Sequence, residues 1–169
     1  MDIQTLTGYF EEYGPVVIFV IVFLEYLNLP GFPAGIVMPL AGIWASRGGI
    51  SFVNALLLSV LAGMCGSWAL YFLGRVGGYF ILDKYMQKFP KQKPVIEQTI
   101  EKIRSKGYIG ILIGKLIPMV RTIISIPAGV LKMNFLGYTL FSAIGVTLWN
   151  LAFVGAGYLF GESVFKVLS

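Results

Sequence analysis

The sequence predicts an all-α polytopic membrane protein, and three observations support this fold class. Of the 169 residues, 57% are hydrophobic and only 12% are charged, against about 25% charged residues in an ordinary globular domain. The mean hydropathy is +0.80. Two stretches without a charged residue, 50–73 and 133–161, are long enough as helices to cross a hydrocarbon core of about 30 Å. The bilayer is therefore the expected solvent for this chain.

Composition also limits the function. The chain has no His, which excludes a histidine general base and an imidazole metal site. Its one cysteine, Cys65, lies in an apolar run, so neither a thiolate metal site nor any cofactor is expected. The formal charge of +5 would suit nucleic acid in a soluble protein. Here seven cations fall in one segment and indicate a cytoplasmic loop instead: Lys84, Lys88, Lys91, Lys93, Lys102, Arg104 and Lys106.

The first element is predicted to be a re-entrant helical hairpin. Residues 15–29 are apolar apart from one acid and one amide, and a helix of that length spans only about 22 Å. A second apolar arm follows the break PGFPAG (30–35). Broken backbone at membrane depth persists only where it is buried in protein or lines a watery cavity. The predicted breaks are prolines, which lack the backbone N–H that a helix uses: Pro30, Pro33 and Pro39.

A membrane-spanning helix and a polar linker come next. We expect the helix over 50–73 to close at an interface at Arg75. The linker, 79–107, is predicted to be cytoplasmic because of its excess of Lys and Arg. It contains an amphipathic helix, since three isoleucines recur at helical spacing: Ile96, Ile100 and Ile103.

The second half of the chain has the same order of elements. An apolar arm, 108–114, leads into KLIPMVRTIISIPAG (115–129), in which Pro118 and Pro127 are the predicted breaks of a second hairpin. The charge-free stretch 133–161 then supplies a second spanning helix.

Two short motifs indicate an internal repeat. Ala41-Gly42 and YFLG at 71–74 in the first half correspond to Ala128-Gly129 and YLFG at 158–161 in the second. Both pairs are separated by 87 residues (128 − 41 and 158 − 71). The first spanning helix arrives at the cytoplasmic linker and the second leaves from it, so the two units would be inverted in the membrane, as in many transporters. The alternative is two unrelated hydrophobic hairpins.

The predicted organisation is one membrane domain, 1–169. Its first repeat covers 15–78, its cytoplasmic linker 79–107 and its second repeat 108–161. Each repeat is expected to contain one re-entrant hairpin and one transmembrane helix.

Charged residues within the apolar segments are the candidate functional groups. A cation at membrane depth costs several kcal/mol unless it is paired or hydrated. Arg121 either pairs with Glu25 and bridges the two hairpins, or clamps a lipid phosphate with its guanidinium fork. Lys115 either contacts a phosphate or extends to the cytoplasmic interface. Arg75 is an interfacial anchor or a substrate ligand, and Asn150 either joins helices or contacts the substrate.

Four motifs in this order resemble the DedA family of bacterial membrane proteins, which share a domain with eukaryotic lipid scramblases. They are FLEYLNLPGFPAG with PLAG (23–42), GSWALYFLGRVGG (66–78), KLIPMVRTIISIPAG (115–129) and the Trp149-Asn150 pair before GYLFG. The resemblance implies a multi-pass protein of the bacterial cytoplasmic (inner) membrane. It also implies lipid translocation between leaflets, with undecaprenyl phosphate as substrate in some members and phosphatidylethanolamine or other phospholipids in others.

The family motifs map onto the charged residues of this chain. Arg121 matches the arginine after the family's Pro-x-x, and Lys115 occupies the position of its other arginine, where it keeps the charge but loses bidentate geometry. Glu25 matches the glutamate of Phe-Leu-Glu, and Arg75 matches the arginine of Gly-Arg.

Two family carboxylates are replaced in this sequence. The usual Pro-Gly-Glu ends in Gly35 here, and the usual Gly-Asp ends in Ser67. The resemblance assigns these acids to proton coupling in many members, so their replacement argues against proton-driven export.

The charges predict a phosphate-bearing lipid as substrate. With two acids replaced and both Lys115 and Arg121 kept, the interior has a positive balance. Glu25 could bind the amine of a zwitterionic lipid, which places phosphatidylethanolamine slightly ahead of undecaprenyl phosphate. A membrane enzyme would need a nucleophile and a base that this composition hardly offers, and a structural or assembly protein is the other alternative. The expected partners are membrane lipids with phosphate head groups and no nucleic acid; a homo-oligomer is left open.

Overall fold

Helices make up nearly all of the described chain. The computed structural model describes residues 3–27 and 37–168, and side chains over 13–27 and 37–161. These ranges contain no strand, which confirms the predicted all-α class. A short 3-10 turn, Pro90–Gln92, lies between the third and fourth α-helices. The helices are α1 (Ile3–Tyr26), α2 (Val37–Ser46), α3 (Phe52–Lys88), α4 (Lys93–Lys106), α5 (Tyr108–Lys115), α6 (Val120–Ile123), α7 (Ser125–Val130) and α8 (Phe135–Leu168).

Two helices have the length and apolar character needed to cross a membrane. They cover Phe52–Lys88 and Phe135–Gly161, where the charge-free stretches predicted them. Ser51 caps α3 and Asn134 caps α8, since in each case the side-chain oxygen accepts a hydrogen bond from a backbone N–H of the first turn. Short polar side chains thus fix where both long helices begin.

The end of α3 differs from the prediction. Arg75 does not close the helix, which continues to Lys88. The helix bends at Gly78 instead, where φ is 55° and ψ is −148°. Glycine adopts this left-handed region without the steric cost of a Cβ atom. A backbone kink at Gly78, and not the charge at Arg75, therefore separates the apolar part of α3 from the polar linker.

Pro39 does not interrupt its helix, contrary to the prediction. It is the third residue of α2 and lies in the first turn. Backbone N–H groups in the first turn have no intrahelical acceptor, so proline removes no hydrogen bond there. The other predicted breaks of this hairpin, Pro30 and Pro33, lie outside the described residues.

The second proline-rich segment is divided into short helices. Pro118 lies in the turn between α5 and α6, as the sequence predicts. Pro127 cannot donate a hydrogen bond to the carbonyl group of Ile123, and α6 and α7 are separate on either side of Ile124. The segment that follows Lys115 therefore consists of helical pieces of one or two turns.

The linker contains the predicted amphipathic helix. One face of α4 is buried through Ile96, Thr99 and Ile103, while its charged residues are exposed. Ile96 packs with apolar side chains of α3, α6 and α7. The helix ends at Gly107, whose φ of 56° allows the sharp turn into α5.

The two halves pack on each other reciprocally. A short helix of each half lies on the long helix of the other half, α2 on α8 and α7 on α3. A Cβ atom at Gly42 would lie 2.1 Å from the carbonyl oxygen of Val154, and one at Gly129 would lie 2.0 Å from that of Tyr71. Both glycines belong to the Ala-Gly motifs that are 87 residues apart (129 − 42). The repeated motif therefore marks two close backbone contacts between the halves.

Candidate functional site

A buried ion pair connects the two proline-containing segments. Arg121 of α6 is 3% exposed and Glu25 of α1 is 4% exposed. The guanidinium Nη2 donates a hydrogen bond to Glu25 Oε1. Charges are rarely buried this deeply unless they are paired. The structure thus contains the ion pair that one interpretation of the sequence requires.

Two aromatic rings cover the same guanidinium group. Arg121 Cζ lies 4.7 Å from the ring centroid of Tyr26 and 5.0 Å from that of Trp149. Cation–π attraction is strongest where the cation has lost its water, which is the case here. The rings and Glu25 together compensate part of the cost of burying this charge.

Lys115 is buried among hydroxyl groups. Its side chain is fully buried, so it does not extend to an interface. Its Nζ donates hydrogen bonds to Ser67 Oγ at 2.8 Å and Ser125 Oγ at 3.0 Å. The Tyr138 hydroxyl lies 2.8 Å from the same Ser125 oxygen. Among the described residues, no carboxylate oxygen is within 4.0 Å of this ammonium group.

Small residues on the long helices make room for these side chains. A Cβ atom at Gly145 of α8 would lie 2.5 Å from Lys115 Cβ. A Cβ atom at Gly66 of α3 would lie 2.8 Å from Tyr26 Cβ. Small residues that let helices approach closely are typical of membrane helix interfaces. The two glycines thus place a cation and an aromatic ring in the interior.

Tyr26 connects the two cations with Asn150. The Nζ of Lys115 lies 5.8 Å from the Tyr26 ring centroid, so both cations face this ring. The Tyr26 hydroxyl donates to Asn150 Oδ1 at 3.1 Å, and Asn150 Nδ2 donates to Ser59 Oγ at 3.1 Å. Asn150 is therefore linked to the two cations through Tyr26, and its amide group is hydrogen-bonded to protein side chains.

Arg75 lies apart from the buried cluster. Its side chain is exposed, and its Nη1 donates to the Tyr71 hydroxyl at 2.7 Å and the Met133 carbonyl oxygen at 3.2 Å. The Tyr71 ring stacks on that of Tyr138 at a centroid distance of 4.5 Å. Arg75 therefore reaches the surroundings of Lys115 only through two stacked tyrosines.

Several members of the cluster were not among the predicted site residues. Tyr26, Ser125 and Tyr138 carry hydroxyl groups, which neither the hydrophobic pattern nor the charge pattern distinguishes from packing residues. Ser67 was noted only as the position of a replaced acid. That replacement was itself a signal. In the structure Ser67 lies where a carboxylate would have paired with Lys115, and Lys115 donates a hydrogen bond to it.

Buried charges and hydroxyls between helices of membrane length define a membrane protein with a polar interior. A family model described as the VTT domain matches residues 32–159, about three quarters of the chain. The chain therefore belongs to the VTT-domain family, the DedA family that its motifs resemble.

Named relatives agree with this family. The chain is 30% identical over 137 residues to the membrane protein YkoX of Bacillus subtilis, with 81% of this chain and 62% of that protein covered. It is 26% identical over 164 residues to undecaprenyl phosphate transporter A of Staphylococcus aureus, with 95% and 80% covered. It is 32% identical over 130 residues to undecaprenyl phosphate transporter A of Bacillus subtilis, with 77% and 66% covered. The chain thus spans just under two thirds of the length of the two Bacillus subtilis relatives. No solved structure matches it.

Proposed function

We propose that this protein moves a lipid carrier with a phosphate head group between the leaflets of a bacterial cytoplasmic membrane. The observation that carries the proposal is the charge balance of the buried cluster. Two cations, Lys115 and Arg121, are buried in the described part of the chain, and Glu25 is the one carboxylate buried beside them. A phosphate group bound there would supply the negative charge that this cluster lacks.

We further propose undecaprenyl phosphate as the lipid. Two relatives carry the name of this substrate, whereas nothing in the comparisons supports phosphatidylethanolamine. The preference based on sequence alone depended on Glu25 as the partner of an amine. That carboxylate is held by Arg121, so a head group without an amine fits the cluster better. The order of the two candidate lipids is therefore reversed.

The transport mechanism that fits this proposal uses two inverted repeats. Each repeat would contain a re-entrant hairpin and one crossing helix, with the linker 79–107 on the cytoplasmic side. The reciprocal packing of α2 on α8 and α7 on α3 supports this arrangement. Because Lys115 and Arg121 are both buried, we infer that the described conformation is closed and that a head group enters when the packed arms separate.

The cluster also favours transport without proton coupling. Lys115 binds Ser67 and Ser125, and neither hydroxyl titrates in the physiological range. Movement down the lipid gradient between leaflets would then drive the process. No bond is formed or broken in such a process, so we propose a transporter and not an enzyme.

Reconstitution tests the proposal. The protein is inserted into vesicles that contain one labelled lipid at a time, either undecaprenyl phosphate or phosphatidylethanolamine, with and without a proton gradient. We expect redistribution of labelled undecaprenyl phosphate that does not depend on the gradient. Arg121→Ala should abolish it, while the matched change Arg104→Ala, at an exposed position of α4, should not. Equal leaflet distributions with and without wild-type protein would contradict the proposal.

A charge exchange tests the alternative of a structural or assembly protein. The double variant Glu25→Arg with Arg121→Glu keeps the ion pair but changes where the cation lies. A transporter that clamps phosphate should lose activity in this variant. Full activity would indicate that the two charges only hold the helices together.

A further inference from the structure

Two buried side-chain N–H groups have no hydrogen-bond acceptor within the described part of the chain. They are Nη1 of Arg121 and Nε1 of Trp149, and both atoms are buried. A buried N–H without a partner destabilises the fold, so each such group needs an explanation. The two groups are also neighbours, since Arg121 Cζ lies 5.0 Å from the Trp149 ring centroid.

The chemistry of these side chains defines what is missing. Guanidinium and indole N–H groups donate hydrogen bonds and accept none, so they cannot satisfy each other. The other arm of Arg121, Nη2, already donates to Glu25. What both open donors require is an acceptor oxygen, and the surplus of cations in the cluster requires that it carry negative charge.

A second tryptophan, Trp68, provides a comparison within the same chain. Trp68 is partly buried as well, and its Nε1 donates to Thr139 Oγ1 at 3.1 Å. Its hydrogen bond is therefore complete within the protein. Trp149 packs its ring against Phe153 at a centroid distance of 4.7 Å, with its N–H unused. The two indoles therefore differ in whether the described part of the chain supplies an acceptor for the N–H group.

We propose that Trp149 is a substrate-binding residue, and that its indole N–H and Nη1 of Arg121 together bind the phosphate oxygens of the lipid head group. This inference rests on the proposed function and adds a residue that recognises the head group. In this arrangement Nη2 stays on Glu25 while Nη1 turns to the ligand. The guanidinium group therefore keeps its position between Tyr26 and Trp149 when the phosphate arrives.

Two matched variants test this role. Trp149→Phe removes an unpaired donor and keeps an aromatic ring on Arg121, whereas Trp68→Phe removes a paired donor. We expect Trp149→Phe to unfold at the same or a higher temperature in detergent and to raise the Kd for farnesyl monophosphate about tenfold. We expect Trp68→Phe to unfold at a lower temperature with an unchanged Kd. A lower unfolding temperature for Trp149→Phe with an unchanged Kd would overturn the proposal, because the protein itself would then supply the acceptor.

A measurement on the wild-type protein makes the test independent of any substitution. The chain has three tryptophans, so ¹⁵N labelling gives three indole signals. Titration with farnesyl monophosphate should move the indole proton of Trp149 downfield and leave that of Trp68 in place. Farnesol, which lacks the phosphate, should move neither. An unmoved Trp149 signal at saturating farnesyl monophosphate would overturn the proposal.

Two further comparisons test whether the ligand is a lipid head group or free phosphate, and whether a negative result concerns this inference alone or the proposed function as well. Inorganic phosphate should bind far more weakly than farnesyl monophosphate, and equal binding would overturn the assignment to a lipid head group. Unchanged undecaprenyl phosphate redistribution by Trp149→Phe would overturn this inference and leave the proposed function standing. A wild-type protein that neither binds nor redistributes these lipids would overturn both.

Discussion

Arg121 and Glu25 form an ion pair that connects α6 with α1 across 96 positions of the chain. Both side chains are nearly inaccessible, and the guanidinium group is covered by the rings of Tyr26 and Trp149. The pair therefore joins the two halves of the chain at a point where neither charge could be hydrated. The other arm of the guanidinium group, Nη1, has no acceptor within the described part of the chain.

Removal of the carboxylate should destabilise the fold. Glu25→Gln leaves the buried charge of Arg121 without a counter-charge, and we expect the free energy of unfolding to fall by about 3 kcal/mol. Chemical denaturation in detergent measures this change. The same substitution at Glu101, an exposed position of α4, is the control and should change stability by less than about 0.5 kcal/mol. Equal stabilities of the two variants would mean that the ion pair does not hold the helices together.

Removal of the Lys115 charge should not destabilise the fold but should abolish transport. Lys115→Met deletes a buried cation whose described partners are hydroxyl groups. We expect an unchanged or higher unfolding temperature, because the cost of burying the charge disappears. Transport of the phosphate lipid should be lost, because the cluster no longer carries surplus positive charge.

Lys102→Met serves as the control for this variant, since Lys102 is exposed. It should leave both the unfolding temperature and transport unchanged. If Lys115→Met unfolds at a lower temperature but still transports lipid, Lys115 has a structural role only.

The position of the elements could be predicted from the sequence, because each long helix leaves a local signal. An uninterrupted apolar stretch and the spacing of isoleucines are both read within a few turns of helix. The true bend of α3 was missed for a physical reason. A charge at Arg75 suggests an interface, whereas the bend depends on the conformational freedom of Gly78.

The partners within the site could not be predicted in the same way. Lys115 binds Ser67, 48 positions away, and Ser125, 10 positions away. A serine is compatible with a helix interior, a cap or a ligand set, and only the packing of α3, α5 and α7 decides which role it has. The charged residues were recognisable because a charge in an apolar segment is costly wherever it lies. The hydroxyls around them leave no such signal.

A carboxylate at position 67 should slow transport. Ser67→Asp places an acid beside the Lys115 ammonium, where the serine hydroxyl now lies 2.8 Å away. The resulting ion pair competes with the lipid phosphate, so transport at neutral pH should fall about tenfold. Redistribution of labelled undecaprenyl phosphate in vesicles at neutral pH measures this change.

The isosteric variant Ser67→Asn controls for shape, because its amide carries no charge at any pH. Its transport should remain closer to that of the wild-type protein than the transport of Ser67→Asp. Equal transport by Ser67→Asp and Ser67→Asn would show that position 67 does not control the charge available at Lys115.

Substitution of the paired glycines tests the reciprocal packing of the two halves. Gly42→Ala and Gly129→Ala each place a methyl group within about 2 Å of a backbone carbonyl oxygen of the opposite long helix. Backbone atoms cannot move aside as a flexible side chain can, so each change should lower the free energy of unfolding by about 2 kcal/mol or more. Gly155→Ala is the matched control, because a methyl group there meets no atom within 4 Å and alanine favours the helix. If the inverted units form two equivalent contacts, Gly42→Ala and Gly129→Ala should be similarly destabilising in chemical denaturation, and a large difference between them would contradict that equivalence.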